Sequence, residues 1–306
     1  MNHGAWIWRN GELVPWEEAT EHVSAHVFHY GSSVFEGLRA YATPRGPAVF
    51  RLRPHTQRMV NSCKIARIAL PYSAEQLDEA ILELLRANGH EACYIRPLTY
   101  RGTGQIGVEG RGAKVETVIF SFDWGAYLGS EAIEQGVDVQ ISTWRRFSPG
   151  TLPGMAKIGG QYINSQFITM EAADNGFAEG IALGHSGNIS EGAGENIFVV
   201  LDGEVYTTGA GASILMGVTR ASALTILDDL GYRVRYEDIP REMLYIADEV
   251  FFTGTAAEIT PVRSVDRIPI GSGSRGPVTE QVQQRFFGIT NGTLEDPYGW
   301  LTYIQP

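Results

Sequence analysis

Lysine is scarce in this chain. Of 24 basic residues only Lys64, Lys114 and Lys157 are lysines. One of the three stands among small residues, in GMAKIGGQY (154–162), flanked by Gly154, Ala156, Gly159 and Gly160. A lysine amine attacks a carbonyl carbon only after losing its proton. Its free pKa of about 10.4 means that burial or nearby positive charge must help it do so. Small neighbours let such an amine reach a bound ligand. A solvated surface lysine is the plain alternative, and the pattern alone leaves both open. Two features nearby bear on the choice. An apolar helix, Tyr162 to Ala173, follows at once, and Glu191 stands downstream in an acidic, glycine-rich turn, SEGAGEN (190–196).

Anion-binding candidates lie further along. Gly217-Val218-Thr219-Arg220 opens a helix, whose first N–H groups and dipole end suit a phosphate. Gly254-Thr255-Ala256-Ala257 follows a buried strand, and its small residues let backbone N–H groups come close to a ligand. GTGQIG (102–107) matches the glycine spacing of a dinucleotide site, with Asp123 downstream. That chemistry needs a helix facing the pyrophosphate, and VEGRGAK, which follows, has no helical periodicity. A glycine-rich loop between two strands is expected there. His22, His26 and His29 have the spacing of metal ligands on a helix face. Their segment, HVSAHVFHY, reads as strand-like, with no HExxH and no carboxylate cluster, so buried, hydrogen-bonded histidines and no metal are expected. Neither GxSxG nor GxxxxGK[ST] occurs.

These residues need elements to hold them. Trp6-Ile7-Trp8 and Leu13-Val14, turning at Asn10-Gly11, read as a hairpin. Phe50 marks a strand, and Pro54 opens a helix to about Ile65. Ala74 to Asn88 is a helix with a Ser73/Gln76 capping box, an apolar face of Leu77, Ile81, Leu84 and Leu85, and a stop at Gly89. CYIRPLTY (93–100) and VETVIFSF (115–122) read as strands. After the aperiodic DWGAYLGSE (123–131) a second unit begins. Its expected strands are Val137–Thr143, Ile181–Leu183, Asn196–Leu201, Glu204–Thr207 and Glu249–Thr253. Its helices are Gln161–Asn175, Thr219–Leu230 and about Val278–Phe287. Strands and helices do not alternate regularly, which favours α+β over a doubly wound parallel sheet.

The 306 residues suffice for two ordinary domains or one large one. A net charge of −11 argues against nucleic acid and anionic membranes as partners. Cys63 and Cys93 show no paired spacing and read as reduced thiols. The N-terminal segment has no basic start followed by an apolar run, and no stretch nears ~18 uninterrupted apolar residues. A cytoplasmic enzyme without signal peptide or membrane span is expected.

Several blocks together carry a resemblance: HYGSSVFEGLRAY (29–41), HTQRM (55–59), YIRPL (94–98), FDWGAYLG (122–129), AKIGGQY (156–162), EGIAL (179–183), SEGAGENIF (190–198), GVTR (217–220) and DEVFFTGTAAEITPVRSVD (248–266). In order and spacing, from Trp6 to Trp300, they resemble the branched-chain amino acid aminotransferases of the class IV, pyridoxal-phosphate group. The resemblance implies a two-domain fold type IV enzyme. A small N-terminal α/β domain (1–122) and a loop (123–133) would precede a larger C-terminal domain (134–306) with a β-barrel-like core, the cofactor lying at the domain interface.

It also implies roles. Lys157 would bond pyridoxal 5′-phosphate covalently and carry the proton between substrate Cα and cofactor C4′. Glu191 would pair with the pyridine nitrogen and Tyr162 with the phenolic oxygen. Arg58, the Val218 and Thr219 N–H groups and the Thr255 hydroxyl would cradle the phosphate. Tyr30, Phe35, Gly37, Tyr94 and Trp124 would wall the side-chain pocket, and Arg96 would take the distal carboxylate of 2-oxoglutarate. Thr255, Ala256 and Ala257 would hold the α-carboxylate. Ile106 and Val108 would reach a neighbouring subunit's site, making a homodimer the minimum and a homohexamer the larger alternative. The implied reaction moves the amino group of L-leucine, L-isoleucine or L-valine to 2-oxoglutarate. The alternatives on this fold are a D-amino acid or (R)-amine transaminase, or aminodeoxychorismate lyase. Asp123 and Met216 depart from the pattern, standing where proline is expected, and so does Met155, where smaller residues are common.

Overall fold

The computed structural model describes residues 2–125, 127–129 and 131–304. Ala126 and Ser130, in the segment expected to link two domains, lie outside these. In chain order the elements are β1 (Trp6–Arg9), β2 (Glu12–Pro15), α1 (His26–Tyr30), β3 (Ser33–Phe35), β4 (Leu38–Tyr41), β5 (Ala48–Phe50), α2 (Leu52–Ile65) and α3 (Ala74–Asn88). Next come β6 (Cys93–Arg101), β7 (Val115–Phe122), α4 (Ala132–Gln135), β8 (Val137–Ile141), α5 (Tyr162–Asp174), β9 (Glu179–Leu183), β10 (Ile189–Gly192), β11 (Asn196–Leu201) and β12 (Glu204–Thr207). The last are α6 (Val218–Asp229), β13 (Val234–Tyr236), α7 (Arg241–Tyr245), β14 (Glu249–Gly254), β15 (Glu258–Val265), β16 (Ile268–Pro269), α8 (Pro277–Thr290) and β17 (Leu301–Tyr303).

The chain forms two compact units. The first holds residues 1–124, 156–161 and 289–306, and the second 125–155 and 162–288. The reading of 134–306 as one large domain differs from this division in two places. Residues 156–161, which include Lys157, belong with the first unit, and β17 pairs with β5 there. A three-residue strand carries no sign of its partner in its own residues.

The first unit is built on an eight-stranded sheet of order β17-β5-β4-β6-β7-β1-β2, with β3 also on β6. Its β1–β2 hairpin turns at Asn10 (φ 52°) and Gly11 (φ 102°), the left-handed pair that a two-residue hairpin requires. On α3, the Ser73 hydroxyl accepts the Gln76 N–H and Gln76 answers to the Ser73 N–H, while Gly89 at φ 66° ends the helix. Its Ile81, Leu84 and Leu85 are buried on Leu38, Ile95 and Ile119 of the sheet. Each such burial stabilises by roughly 1.5–3 kcal/mol. That packing makes β4 and β6 a firm base for the residues they carry.

One local expectation is corrected. His26–Tyr30, read as strand-like, is the helix α1. Five residues are too few for period two and period 3.6 to be told apart, and Gly31 decides: at φ 62° its N–H caps the Val27 carbonyl. Of the three histidines only His26 is buried, while His22 and His29 are exposed.

The second unit holds a nine-stranded sheet of order β10-β9-β8-β15-β14-β11-β12-β13, with β16 on β15. β8 runs parallel to both β9 and β15, and β12 parallel to β13, so the sheet is mixed. Ile181, Ile197, Val199, Val250, Phe252 and Val262 fill one core on it. This core fixes β10, β11 and β14, which carry or flank the expected cofactor contacts.

Candidate active site

The lysine segment is held by backbone. Lys157 donates its N–H to Ser62 Oγ at 3.0 Å, and its carbonyl accepts the Phe35 N–H at 3.1 Å. Ile158 bridges Val34, and the Gly160 N–H bonds the Gly31 carbonyl at 3.1 Å. The glycines serve this close passage. A Cβ on Gly159 would overlap the Ser33 hydroxyl, and one on Gly160 would stand 3.0 Å from the Gly31 carbonyl oxygen. The small residues around Lys157 are therefore spent at least partly on chain-to-chain packing. The side chain itself is half-buried, with Nζ 4.8 Å from the centre of the Phe35 ring.

Phe35 links the lysine to an arginine. The Arg96 guanidinium also lies 4.8 Å from the Phe35 ring centre. Tyr94 and Arg96, two apart on β6, face the same way. Arg96 Nη2 is 3.4 Å from the Tyr94 hydroxyl, and its buried Nε has no partner among the described residues. Gly37 is needed here, because a Cβ would collide with the Tyr94 hydroxyl. Trp124 stands edge-on to Tyr94 at 4.6 Å and its carbonyl accepts from Arg39. Tyr30, 43 % exposed, packs its ring on His26.

Ile106 and Val108 stand apart from this group. The 102–114 segment is a loop between β6 and β7, and both residues point outward, 66 % and 85 % exposed. His26 anchors the loop through Nε2, 2.7 Å from the Gly107 carbonyl, with Nδ1 2.6 Å from Ser32 Oγ. The metal-like spacing of histidines thus contains one loop clamp. No cluster of three potential ligands occurs among the described residues.

Arg58, on α2, is held by a residue of the HYGSSVFEGLRAY block to which the resemblance assigns no role. Glu36 is fully buried. It accepts Arg58 Nε at 2.6 Å and Nη2 at 2.8 Å, and His55 Nδ1 at 2.8 Å. Burial by itself would raise its pKa. The Arg58 charge and the bonds from Arg58 and His55 outweigh burial and hold it well below the ordinary carboxylate range. His55 has its pKa lowered as well, mainly by burial, which keeps the ring neutral. The one signal in the sequence is an acidic residue between Phe35 and Gly37, at the junction of the short strands β3 and β4.

The second unit places Glu191 on β10, buried. Arg146 Nη2 contacts Oε1 at 2.7 Å, and Asn196 Nδ2 (3.0 Å) and the Leu215 N–H (3.1 Å) donate to Oε2. Asn196 also bonds the Leu215 carbonyl, so one amide ties β11 to the 215 segment. Neither Arg146 nor Asn196 is singled out by sequence, and an arginine 45 positions from its partner leaves no local trace. Val218 and Thr219 open α6 after Gly217, which caps the helix without any side-chain bond. The first-turn N–H groups are therefore not taken by a capping side chain. A Cβ on Gly217 would collide with Asn196 Oδ1. Arg220 is buried, bonds the Thr208 carbonyl at 2.9 Å, and has its pKa lowered by that burial. Thr255, Ala256 and Ala257 form the β14–β15 turn, where the Ala257 carbonyl accepts from Thr260 Oγ1. Tyr162 begins α5. The chemistry of the second set is an enclosed carboxylate, an uncapped helix start and a turn of small residues. The first set offers an amine, two arginines and aromatic walls.

Comparison with known proteins gives the class first. Residues 33–265 match the family of class IV amino-transferases. The chain is 49 % identical to the branched-chain-amino-acid aminotransferase of Escherichia coli (strain K12) over 301 residues, covering 98 % of this chain and 97 % of that one. The crystal structure of the Escherichia coli branched-chain amino acid aminotransferase matches at TM-score 0.97 and 48 % identity, covering 99 % and 100 % of the two chains. That of the Thermobaculum terrenum branched-chain amino acid aminotransferase, solved in its PLP-form, matches at 0.93 and 30 %, covering 100 % of both chains. The protein belongs to the branched-chain-amino-acid aminotransferase family, a class IV aminotransferase of fold type IV.

Proposed function

We propose that this chain transfers the amino group of L-leucine, L-isoleucine or L-valine to 2-oxoglutarate in a ping-pong cycle with pyridoxal 5′-phosphate. The observation that carries the substrate class is the wall of Phe35, Tyr94 and Arg96 beside Lys157. Aromatic faces suit a branched aliphatic side chain. A half-buried guanidinium whose Nε has no partner among the described residues suits the distal carboxylate of the second substrate.

The residues present fit the cofactor. Arg58 and the uncapped start of α6 suit its phosphate, Glu191 its ring nitrogen, Tyr162 its phenolic oxygen, and Lys157 its carbonyl carbon. When bound, the group supplies an electron-accepting ring for charge developing at the substrate Cα. Arg146, Asn196 and the Leu215 N–H all aim donors at Glu191, an arrangement that favours an anion there. Lys157 Nζ takes the proton from the substrate Cα and returns it at the other end of the transfer. Backbone bonds to Ser62 and Phe35 fix where its stem begins. Tyr30 and the Thr255–Ala257 turn complete the substrate contacts in this reading, with the Ala256 and Ala257 N–H groups on the α-carboxylate. Loop residues Ile106 and Val108 serve a second copy, so the working unit is at least a homodimer.

Two measurements test the chemistry. Borohydride reduction of the purified enzyme should fix the cofactor on Lys157, and an adduct on Lys64 or Lys114 overturns the assignment. Half-reactions with L- and D-amino acids and (R)-amines should favour L-leucine, L-isoleucine and L-valine. A preference for D-amino acids or (R)-amines would put the chain with the alternative activities. For the assembly, dilution to a proven monomer should abolish activity, and full activity there refutes the shared site.

A further inference from the structure

We propose that Glu36 is a positioning residue for the cofactor phosphate: it clamps one edge of the Arg58 guanidinium and so fixes that arginine before any ligand arrives. This rests on the reading of Arg58 as a phosphate ligand. Glu36 accepts Arg58 Nε on Oε1 and Arg58 Nη2 on Oε2, at 2.6 and 2.8 Å. Oε2 also accepts His55 Nδ1 at 2.8 Å and the Gly37 N–H at 3.2 Å. A guanidinium is planar, with its N–H groups in a rigid fork. Once the Nε–Nη2 edge is held, planarity aims Nη1 away from Glu36.

The exposures agree with this division of labour. The Glu36 side chain is wholly enclosed, whereas that of Arg58 is 13 % exposed. Arg58, His55 and Ser62 all lie on α2, and Ser62, one turn beyond Arg58, takes the Lys157 N–H. One helix and one carboxylate therefore fix both the arginine and the start of the lysine stem. The cost is a negative charge kept close to where a phosphate would sit. By charge alone, removing it should tighten phosphate binding. By positioning, removing it should weaken phosphate binding. The two accounts have opposite signs.

The test uses the apoprotein, titrated with pyridoxal 5′-phosphate and with pyridoxal, which lacks the phosphate, and followed by tryptophan fluorescence. The readout is the ratio of the two Kd values. In Glu36→Gln this phosphate discrimination should fall at least tenfold, with the Kd for pyridoxal changed less than threefold. An unchanged or larger ratio overturns the proposal. So does an equal loss for both ligands, which is what a merely structural role produces. Should Glu36→Gln not fold, Glu36→Asp keeps the charge on a shorter arm, and the ratio should fall at least threefold. Arg58→Ala separates the two levels. If it leaves the ratio intact, the reading of Arg58 itself fails. If it collapses the ratio while Glu36→Gln does not, only the role of Glu36 fails.

Discussion

In the first unit Glu36 faces Arg58 and His55; in the second Glu191 faces Arg146 and Asn196. Both are buried carboxylates with a charge-assisted arginine bond, at 2.6 and 2.7 Å. They differ in what is enclosed. Glu36 is entirely covered while Arg58 keeps some exposure, so of the two the cation is the partner open to its surroundings. Glu191 and Arg146 are about equally covered, and Oε2 is held by an amide and a backbone N–H. There the carboxylate is what the surroundings fix. Buried ion pairs are weak evidence for stability, since desolvation consumes much of the attraction. In this molecule the two pairs make better sense as orienting devices, one presenting a cation and the other an anion.

The largest effect should come from the anion. Glu191→Gln keeps the shape and the bond from Asn196 but removes the charge proposed to face the ring nitrogen. The leucine half-reaction, followed in a single turnover, should slow by about 10²-fold or more, the size of an electrostatic catalytic term. Cofactor affinity should change far less. Glu36→Gln should show the reverse, an effect on binding with little on the rate of the loaded enzyme. If Glu191→Gln chiefly loses cofactor and keeps its rate, the contrast between the two pairs breaks.

Arg96 sharpens the contrast with a third arginine, one that bonds the Tyr94 hydroxyl and whose Nε, like that of Arg146, has no partner among the described residues. Arg96→Ala should cost roughly 1.5–3 kcal/mol with 2-oxoglutarate, about 10–150-fold in kcat/KM for that half-reaction. With leucine, which has no distal carboxylate, the loss should be within about threefold. Equal losses with both substrates would make Arg96 a packing residue of the Phe35–Tyr94 wall.

Much of this is legible in residue patterns, for reasons that differ by element. The α3 helix is readable to the residue, because Ser73, Gln76 and Gly89 act locally. The β6–β7 pair is readable from β-branched and aromatic runs. The short strands β3, β10 and β17 are not, because three or four residues have no periodicity and take their conformation from partners elsewhere in the chain. The site divides in the same way. Lys157, Arg58 and Glu191 stand out by type and motif. Glu36, Arg146, Asn196 and Ser62 do not, since each matters only for the side chain or backbone group it holds. The glycines near Lys157 are conspicuous in sequence as room for a ligand. The structure adds a backbone cause, the close passage along Gly31 and Ser33.

The smallest effect is on stability, and its sign follows from the Glu36 cluster. Glu36 has its pKa held below the ordinary 4.5: burial opposes this, but Arg58 and His55 prevail. The stability it contributes is complete above about pH 4.5 and is lost as pH falls below that. His55 is lowered from its ordinary 6.5, chiefly by burial. It stays neutral in the fold while the unfolded chain takes up a proton, so stability also drops as pH falls through 6.5. One such proton is worth about 1.4 kcal/mol per pH unit. The wild type should therefore lose Tm between about pH 7 and pH 5, before the carboxylate limb begins. His55→Gln can still donate to Glu36 but cannot titrate, so its Tm should fall less over that interval. Equal slopes in the two proteins would mean that the histidine is not kept neutral. The second unit's pair contains no histidine, so Asn196→Ala should lower Tm by a similar amount at both ends of that pH range.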